Sequence, residues 1–417
     1  MIRINQIKLN IDHTREDLEK KIITILKISP GDLIHFNIVK QSVDARHKND
    51  IKYIYSVDVL IKEEEKKLQR LKNANVTSVK DHTYEFTADG TKKLKNRPII
   101  IGAGPAGLFC TYMLAKAGYM PLLIERGEEV DKRVETVNHF WRQNELNTES
   151  NVSFGEGGAG TFSDGKLNTL VKDPYHRSRK ILEIFVEHGA PTDILYRQKP
   201  HIGTDELRDV VKNIREDIIK YGGEVLFNTK VTDFLIEENK VSGVQIERKG
   251  ATTTKEMIKS DIVIAAIGHS ARDTFSLIHK KGLELVKKSF AIGVRIEHPQ
   301  ILISRNQYGE SYKKLPPADY KLTHQTKGGR GVYSFCMCPG GFVVNASSEP
   351  GGIVTNGMSN YRRDERNANS AIIVSVTPAD FEGDSPLAGV NFQQKWERQA
   401  YQCGNGYIPV QTCALPI

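Results

Sequence analysis

Residues 99–125 constrain the fold of this chain more than any other part of the sequence. The apolar run Ile99–Ile101 is followed by the turn Gly-Ala-Gly-Pro-Ala-Gly at residues 102–107. An apolar-periodic segment comes next, and a second apolar run then ends at Glu125. This order predicts a strand, a turn, a helix and a second strand, which together form a βαβ unit with the pattern G-x-G-x-x-G.

Each glycine of this turn has its own role in binding a dinucleotide. Gly102 permits the tight turn, Gly104 lets the backbone approach a pyrophosphate, and Gly107 lets helix and strand pack closely. The phosphates would bind the unpaired N–H groups at the helix N-terminus. Glu125 would accept hydrogen bonds from an adenosine ribose and would repel a 2′-phosphate. The unit therefore predicts FAD or NAD rather than NADP.

A second stretch, residues 155–160, also fits the pattern G-x-G-x-x-G. No long strand precedes it, and residues 161–165 have the composition of a loop, so we do not interpret it as a dinucleotide turn. Its glycines are costly in chain entropy, and such a stretch either lies against a flat ligand or turns sharply. Because it follows the phosphate-binding unit directly, we predict a ligand loop at residues 157–160.

The composition excludes several classes of protein. A chain of 417 residues that is 39% hydrophobic and 26% charged is expected to form two or three domains with ample core. No run approaches a membrane span, and the N-terminus is not a signal peptide. The five cysteines lack zinc spacing and a secreted disulfide pattern, which predicts no metal site and a cytoplasmic location. The net charge of +8 is spread over the chain, which disfavours a nucleic-acid partner.

Periodicity along the chain predicts the domain organisation. Thr14 and Asp17 form a capping-box signature in front of the first helix of a small α/β module. Thr204 is predicted to cap a later helix that runs to about residue 220. After the βαβ unit, a β-meander and an apolar strand ending at Gly268 complete a Rossmann-like FAD-binding domain of α/β class. The predicted segments are a module at 1–80, a linker at 81–97, an FAD-binding domain at 98–287 with a helical segment at 173–222, and an α+β substrate domain at 288–409.

Two further segments have less specific interpretations. Residues 42–48 are polar and basic, and they form either a solvated loop or a ligand or partner site, of which the loop is favoured. Residues 410–417, Val-Gln-Thr-Cys-Ala-Leu-Pro-Ile, resemble the translation of a widely used short-read library adapter. We therefore expect a foreign tail there.

The chain resembles the glutathione-reductase-like FAD superfamily and, more narrowly, a bacterial family of uncharacterised FAD-dependent dehydrogenases. The motifs that carry the narrower resemblance are FGEGGAGTFSDGK (154–166), HIGTD (201–205), GHSARD (268–273), YSFCMCPGG (333–341) and VTNGMS (354–359). The resemblance extends to about residue 409. Because such proteins close their FAD domain with a further glycine-rich C-terminal segment, it implies that the substrate domain at 288–409 is incomplete. It implies an extended FAD with residues 157–160 near the flavin, and it implies no particular substrate.

Together these observations predict the residues that bind FAD. Arg133 lies in a charged helical stretch and either reaches the pyrophosphate or is a solvated helix residue. The predicted FAD-binding residues are Gly102, Gly104, Pro105, Ala106, Gly107, Glu125, Arg126, Arg133, Gly157, Gly158, Ala159, Gly160, Val231 and Gly268.

Catalytic side chains are not identified by the sequence, because the flavin itself carries hydride chemistry. Cys336 and Cys338 are a redox pair or, more favourably, small residues of a core strand. His201 is an acid near the flavin or a partner of a backbone carbonyl. Ser270 and Asp273 are interpreted as a capping box rather than as catalytic residues.

The function predicted from these features is that of an FAD-dependent oxidoreductase that transfers hydride through a non-covalently bound flavin to or from an unknown small molecule. A tRNA-modifying flavoprotein and a non-enzymatic FAD-binding regulatory protein are the alternatives. Since one phosphate turn is credible, we predict no dedicated nicotinamide domain. NAD(P)H, if it is the reductant, would bind transiently at the flavin.

Overall fold

A computed structural model describes residues 1–71, 73–80, 83–87, 90–167, 172–250, 252–407 and 415–416. The predicted foreign tail at 410–417 lies outside these residues apart from Leu415 and Pro416. Within the described ranges, no helix combines the length and the apolar character needed to cross a bilayer.

The helices and strands are labelled in chain order. The strands are β1 (Ile2–Asn10), β2 (Leu33–Asp44), β3 (Lys52–Ile61), β4 (Val76–Ser78), β5 (Ile99–Ile101), β6 (Leu122–Ile124), β7 (Glu224–Leu226), β8 (Thr229–Glu237), β9 (Lys240–Arg248), β10 (Thr254–Lys259), β11 (Val263–Ala265), β12 (Phe290–Pro299), β13 (Thr323–Gln325), β14 (Gly331–Cys338), β15 (Phe342–Asn345), β16 (Thr355–Met358), β17 (Asn367–Val376) and β18 (Leu415–Pro416). The α-helices are α1 (Arg15–Leu26), α2 (Glu64–Arg70), α3 (Pro105–Lys116), α4 (Val130–Gln143), α5 (Arg177–Glu187), α6 (Thr204–Lys220), α7 (Arg272–Lys280), α8 (Gln300–Tyr308) and α9 (Ala388–Cys403).

The chain divides into two compact units, and each contains several separate segments. The first unit is Met1–Glu85, Lys166–Ile202 and Gln300–Asp319, and the second unit is Phe86–Gly165, Gly203–Pro299 and Tyr320–Ile417. The grouping differs from the sequence-based boundaries, because two later segments return to the N-terminal module. The hydrophobic periodicity of a segment predicts its secondary structure but does not reveal which distant part of the chain it packs against.

The first unit is built on a four-stranded antiparallel sheet in the order β2-β3-β1-β4. The apolar face of α1, which includes Leu18, Ile22 and Leu26, packs into one core with the buried side chains of this sheet. The predicted capping box at the start of α1 is confirmed. The N–H of Asp17 donates to Oγ1 of Thr14, and the N–H of Thr14 donates to the Asp17 carboxylate.

The segment 166–202 joins the first unit by extending its sheet. The N–H of Gln41 donates to the carbonyl of Tyr196 at 2.7 Å, and the N–H of Gln198 donates back to the carbonyl of Gln41 at 2.9 Å. Strand β2 continues to Asp44, so the predicted loop at 42–48 begins three residues later than the sequence suggested. The edge of β2 is therefore occupied within this unit.

The second unit contains the predicted Rossmann-like arrangement. A four-stranded sheet has the order β11-β5-β6-β7, and all its neighbouring strands are parallel. A separate antiparallel sheet in the order β10-β9-β8 is the predicted meander. The side chains of Ile99, Leu122 and Val244 belong to one buried core, so the two sheets pack together. The predicted α/β fold is confirmed.

The C-terminal part of this unit is an antiparallel sheet in the order β13-β14-β17-β12-β18. The register between β14 and β17 shifts between Phe335 and Cys338, and Cys336 has a φ of 45°. This irregularity means that Cys336 and Cys338 do not follow the simple alternation that would place them on one face of a regular strand. Cys338 is fully buried, and its thiol donates to the carbonyl of Cys336.

Two helix starts differ from their predictions. Gly203, not Thr204, is the N-cap of α6, and the Thr204 hydroxyl donates to the carbonyl of Thr161 instead. Helix α7 has Ala271 as its N-cap and no side-chain cap, so the predicted capping box of Ser270 and Asp273 is wrong. In both cases a tertiary partner competes for the polar side chain, which a local pattern cannot reveal.

Candidate functional site

The dinucleotide turn has the geometry that its glycines predict. Gly102 has a φ of 100°, which is a left-handed conformation that favours glycine. A Cβ atom on Gly107 would lie 1.8 Å from the carbonyl oxygen of Gly102, so this position admits no side chain. Helix α3 begins at Pro105 with Gly104 as its N-cap and without a side-chain cap. Its first N–H groups are therefore available to an anion.

This turn lies at a cavity of about 480 Å³ formed within the second unit. Most of the predicted FAD-binding residues line it, whereas Gly107, Arg133 and Gly157 do not. The predicted residues in the lining are Gly102, Gly104, Pro105, Ala106, Glu125, Arg126, Gly158, Ala159, Gly160, Val231 and Gly268. The carboxyl ends of the parallel strands β5, β6 and β11 meet here, where open α/β sheets bind their ligands.

Glu125 lines the cavity and also organises the backbone around it. Its carboxylate is 4% exposed and accepts hydrogen bonds from the N–H groups of Ala103, Gly127 and Gly155, at 2.6, 2.9 and 2.9 Å. The acid therefore joins the dinucleotide turn to residues 151–165, which we call the glycine-rich loop. The predicted ribose contact would add to these three bonds.

Arg126 forms one wall of the cavity as part of a charged network. Its guanidinium lies 4.2 Å from the ring centre of Phe154 and donates to the carboxylates of Glu149 and Asp273. Lys230, which the sequence analysis missed, also pairs with both acids. Burial would raise the pKa of Asp273, but hydrogen bonds from Arg126 and Lys230 outweigh it and hold that pKa well below its usual range.

Arg133 corrects one of the predicted roles. Its side chain is completely buried, so it is not a solvated helix residue. Its guanidinium donates to the backbone carbonyls of Asn151, Val152, Glu156 and Gly158, at 2.5 to 3.0 Å. These bonds hold the glycine-rich loop in its path. Arg133 is therefore placed to support the loop, and it does not line the cavity.

Two buried acids of the glycine-rich loop hold its outer side. Oε2 of Glu156 accepts from the N–H of Val130 at 2.7 Å, and Oε1 lies 2.9 Å from Nε of Arg215, without hydrogen-bond geometry. Burial raises the pKa of Glu156 to about 7, although Arg215 opposes the rise. Asp164 accepts from the hydroxyl of Ser359 and pairs with Arg363.

A second cavity of about 590 Å³ adjoins the first within the same unit. Both volumes are typical of small-molecule sites. The walls of the second cavity come from the glycine-rich loop, from β12, from residues 346–356 and from α9. Five residues line both cavities and mark where they meet: Ser153, Ala159, Gly160, His269 and Ser270.

His269 is the titratable residue at this junction that the sequence analysis did not single out. Nδ1 of His269 lies 2.9 Å from the Ser270 hydroxyl. Burial, followed by the nearby charge of Arg272, lowers the pKa of His269 below its ordinary value of 6.5. A neutral imidazole at neutral pH can accept a proton. The position of His269 directly after Gly268, at the end of an apolar strand, is a signal that sequence reasoning could have used.

His201 lies in the other unit. It is buried and forms an isolated β-bridge with Lys166. The predicted alternatives for this residue, an acid near the flavin or a structural histidine, both remain predictions.

The residues present fit an adenine dinucleotide. The backbone at Gly102 and Gly107 is closed to side chains, the first N–H groups of α3 are uncapped, and Gly158 lies against Gly104. A Cβ on Gly158 would come within 3.0 Å of the Gly104 Cα, so the two glycine segments approach each other closely. FAD bound here would supply the redox chemistry that these side chains lack.

Three family models match this chain. The model described as "FAD-dependent protein, C-terminal domain-like" matches residues 289–414. The model described as "NAD(P)-binding Rossmann-like domain" matches residues 100–158, which include the dinucleotide turn and the first half of the glycine-rich loop. A domain of unknown function, DUF8436, matches residues 1–60. These matches confirm the predicted Rossmann-like domain and FAD as the cofactor.

Curated relatives include an uncharacterized protein from Clostridium beijerinckii, which is 48% identical over 415 residues. The match covers 98% of this chain and 76% of that protein. A thiamine thiazole synthase from Aeropyrum pernix is 24% identical over 227 residues, covering 52% of this chain and 70% of that protein.

Solved structures that are similar include a flavoprotein/dehydrogenase from Cytophaga hutchinsonii, with a TM-score of 0.36 and 12% identity, covering 77% of this chain and 66% of that chain. THI4 from Thermovibrio ammonificans has a TM-score of 0.30 and 19% identity, covering 46% and 64%. This chain spans less than two thirds of either solved chain. The identity and coverage shared with the clostridial protein place the chain in that protein's family, and the matched C-terminal model makes it an FAD-dependent protein.

Proposed function

We propose that the cavity of about 480 Å³ holds the adenosine and pyrophosphate of FAD, and that the adjoining cavity of about 590 Å³ receives the substrate next to the flavin. The observation that carries this proposal is the set of residues shared by the two cavities, which gives them a common boundary at Gly160 and His269. A hydride donor or acceptor in the second cavity would then meet the flavin at that boundary.

The side chains around the first cavity divide the work of holding FAD. The N–H groups at the start of α3 would bind the pyrophosphate, and Glu125 would accept from the ribose. Arg126 and Lys230 pair with Glu149 and Asp273, so this network is neutral overall and adds no net negative charge beside the phosphates. The parallel sheet and the meander beside it support membership of the glutathione-reductase-like superfamily.

His269 is the group we propose to exchange a proton with the substrate. Its imidazole lines both cavities, and the Ser270 hydroxyl next to Nδ1 fixes the ring orientation. When hydride leaves a carbon atom that bears an N–H or O–H group, that group also releases a proton. A neutral imidazole can accept this proton.

The cofactor assignment is tested by releasing the ligand from purified full-length protein with heat and identifying it by chromatography. FAD in an amount close to that of the protein is expected. Recovery of NAD alone, or of no dinucleotide from protein incubated with FAD, would contradict the proposal.

We also propose that NAD(P)H, if it reduces this flavin, does so by transient binding. Two stretches of the sequence fit G-x-G-x-x-G, and we accept one of them, residues 102–107, as a phosphate-binding turn. A second turn would be needed for a separate nicotinamide domain. Stopped-flow reduction by NADH would show a rate that rises with NADH concentration and a weak apparent affinity. A crystal structure with NADH in a Rossmann subdomain of its own would contradict this.

A further inference from the structure

The charges around the second cavity restrict what it can bind. Among the residues that line this cavity in the described part of the chain, Arg272 carries the permanent positive charge. Nη1 of Arg272 donates to carboxylate oxygens of Glu349 and Glu397, at 3.0 and 2.8 Å. Nη2 donates to Glu397 and to Gln393, at 2.6 and 3.1 Å. Both Nη atoms of the guanidinium therefore already have hydrogen-bond partners within the protein.

The remaining donor of this guanidinium is not available to a ligand. Nε of Arg272 is buried and has no hydrogen-bond partner in the protein. The side chains of Arg272 and Glu397 are each 13% exposed, so water screens their charges only weakly. An acidic ligand would have to break an existing ion pair to reach Arg272, and breaking a buried pair is costly.

The network also carries an excess of negative charge. Two carboxylates, Glu349 and Glu397, surround one guanidinium, and Glu397 itself lines the cavity. Apart from this network, His269 is the ionisable side chain in the lining, and its imidazole is neutral at neutral pH. The potential in the cavity therefore opposes an anion and favours a cation.

The rest of the wall is mainly apolar. Its apolar lining consists of the indole of Trp396, the aliphatic side chains of Val152, Ile292, Val294 and Val354, and the methyl groups of three alanines. Hydroxyl and amide groups, such as those of Thr355 and Asn356, supply hydrogen bonds without charge. Burying a carboxylate or phosphate against such a wall without a cation would carry a large desolvation penalty.

We propose that the substrate of this cavity is a predominantly apolar molecule that bears an amine or another non-acidic polar group, and that carboxylate- and phosphate-bearing substrates are rejected. The proposal rests on the proposed function, because it assigns this cavity to the substrate. The selection works by repulsion from Glu397 as much as by attraction, a common basis of specificity.

Three probes that share one ring and differ in charge test the proposal: benzylamine, benzyl alcohol and benzoate. Each is titrated at pH 7.5 into the FAD-loaded protein, and binding is followed by the change in the flavin absorption spectrum. Benzylamine and benzyl alcohol are expected to bind at least tenfold more tightly than benzoate. Benzoate binding as tightly as the other two, or no spectral change with any probe, would overturn the proposal.

Glu397→Gln tests the origin of the selectivity. Removing one carboxylate leaves Arg272 balanced by Glu349 alone, so the preference for benzylamine over benzoate should fall at least fivefold. Glu382→Gln is the matched control, because the Glu382 side chain is 92% exposed and pairs with Lys395 away from the cavity lining. An unchanged preference in Glu397→Gln, with the flavin still bound, would refute this role of Glu397. Protein that never takes up flavin would instead contradict the proposed function, so the two failures are distinguishable.

Discussion

The carboxylate of Glu125 accepts a hydrogen bond from the backbone N–H of Gly155 at 2.9 Å. One acid at the end of β6 thus fixes a loop thirty residues later in the chain. The same carboxylate holds the N–H of Ala103 in the dinucleotide turn. The two glycine-rich segments around the first cavity therefore share a buried anchor.

Replacing Glu125 with Gln tests this anchor. The amide group can accept at one end only, so at least one of the three N–H donors loses its partner. We expect the free energy of unfolding to fall by about 1–3 kcal/mol and FAD to bind more weakly. Urea denaturation with and without added FAD measures both effects. Glu135→Gln, at an exposed site on α4, should change neither.

Arg133→Lys removes the guanidinium whose hydrogen bonds hold the glycine-rich loop. A lysine ammonium cannot reach the four carbonyls that the guanidinium bridges, so buried oxygens lose their donors. The expected loss is roughly 2–4 kcal/mol of stability, together with faster amide hydrogen exchange at residues 151–158. Arg142→Lys, at an exposed position of the same helix, is the control. Equal exchange rates in the two variants would contradict the assignment.

Gly107→Ala should abolish FAD binding. The added Cβ would lie 1.8 Å from the Gly102 carbonyl oxygen. This oxygen is backbone and the Cβ is attached directly to backbone, so neither atom can move away without moving the turn. We expect a loss of about 1–3 kcal/mol or more in stability. Flavin absorbance per mole of purified protein measures the loss of cofactor. Gly31→Ala, where no atom lies within 4 Å of the new Cβ, should retain its flavin.

Glu156 should make stability depend on pH. Its pKa is raised from 4.5 to about 7 in the folded protein, so the folded state binds a proton more tightly than the unfolded state. The stabilisation is fully present below pH 4.5 and is lost as the pH rises through about 7. The difference is on the order of 3 kcal/mol, and thermal unfolding between pH 4.5 and 8 measures it.

Other groups titrate in this range, and a variant separates the contribution of Glu156. Glu156→Gln removes the ionisation, so the decline in melting temperature across this window should become shallower than in the unmodified protein. Glu135→Gln should leave the slope unchanged. If Glu156→Gln and the unmodified protein have parallel pH profiles, Glu156 ionises normally in the folded state.

His269 should titrate below pH 6.5. Burial in the cavity wall and the charge of Arg272 both disfavour the imidazolium. Nuclear magnetic resonance of labelled histidine gives its pKa directly, and the resonance is assigned by its absence in His269→Gln. A pKa at or above 6.5 would count against its role as a neutral proton acceptor.

The sequence was sufficient to predict the parts of the site that follow a local pattern. The turn at 102–107, the helix after it and Glu125 lie in one continuous segment, and the three strands of the meander lie in another, so spacing within each segment specifies its geometry. The same holds for the capping box of Thr14 and Asp17, which involves neighbours along the chain.

The parts that could not be predicted depend on partners distant in sequence. Asp273 looked like half of a cap, but Arg126 and Lys230 reach it from other elements. Arg133 was predicted either to reach the pyrophosphate or to be solvated, yet its buried side chain donates to backbone carbonyls of the glycine-rich loop. The bulge at Cys336 arises from pairing with β17, so nothing in the C-x-C spacing reveals it.

The hydrogen bonds between Gln41 and the segment at 196–198 bear on which fragments of this chain can be expressed separately. A gene fragment ending near residue 85 would encode a sheet whose edge strand has lost its neighbour, and exposed edges of this kind favour aggregation. The N-terminal module is therefore not expected to fold stably when it is expressed without residues 166–202.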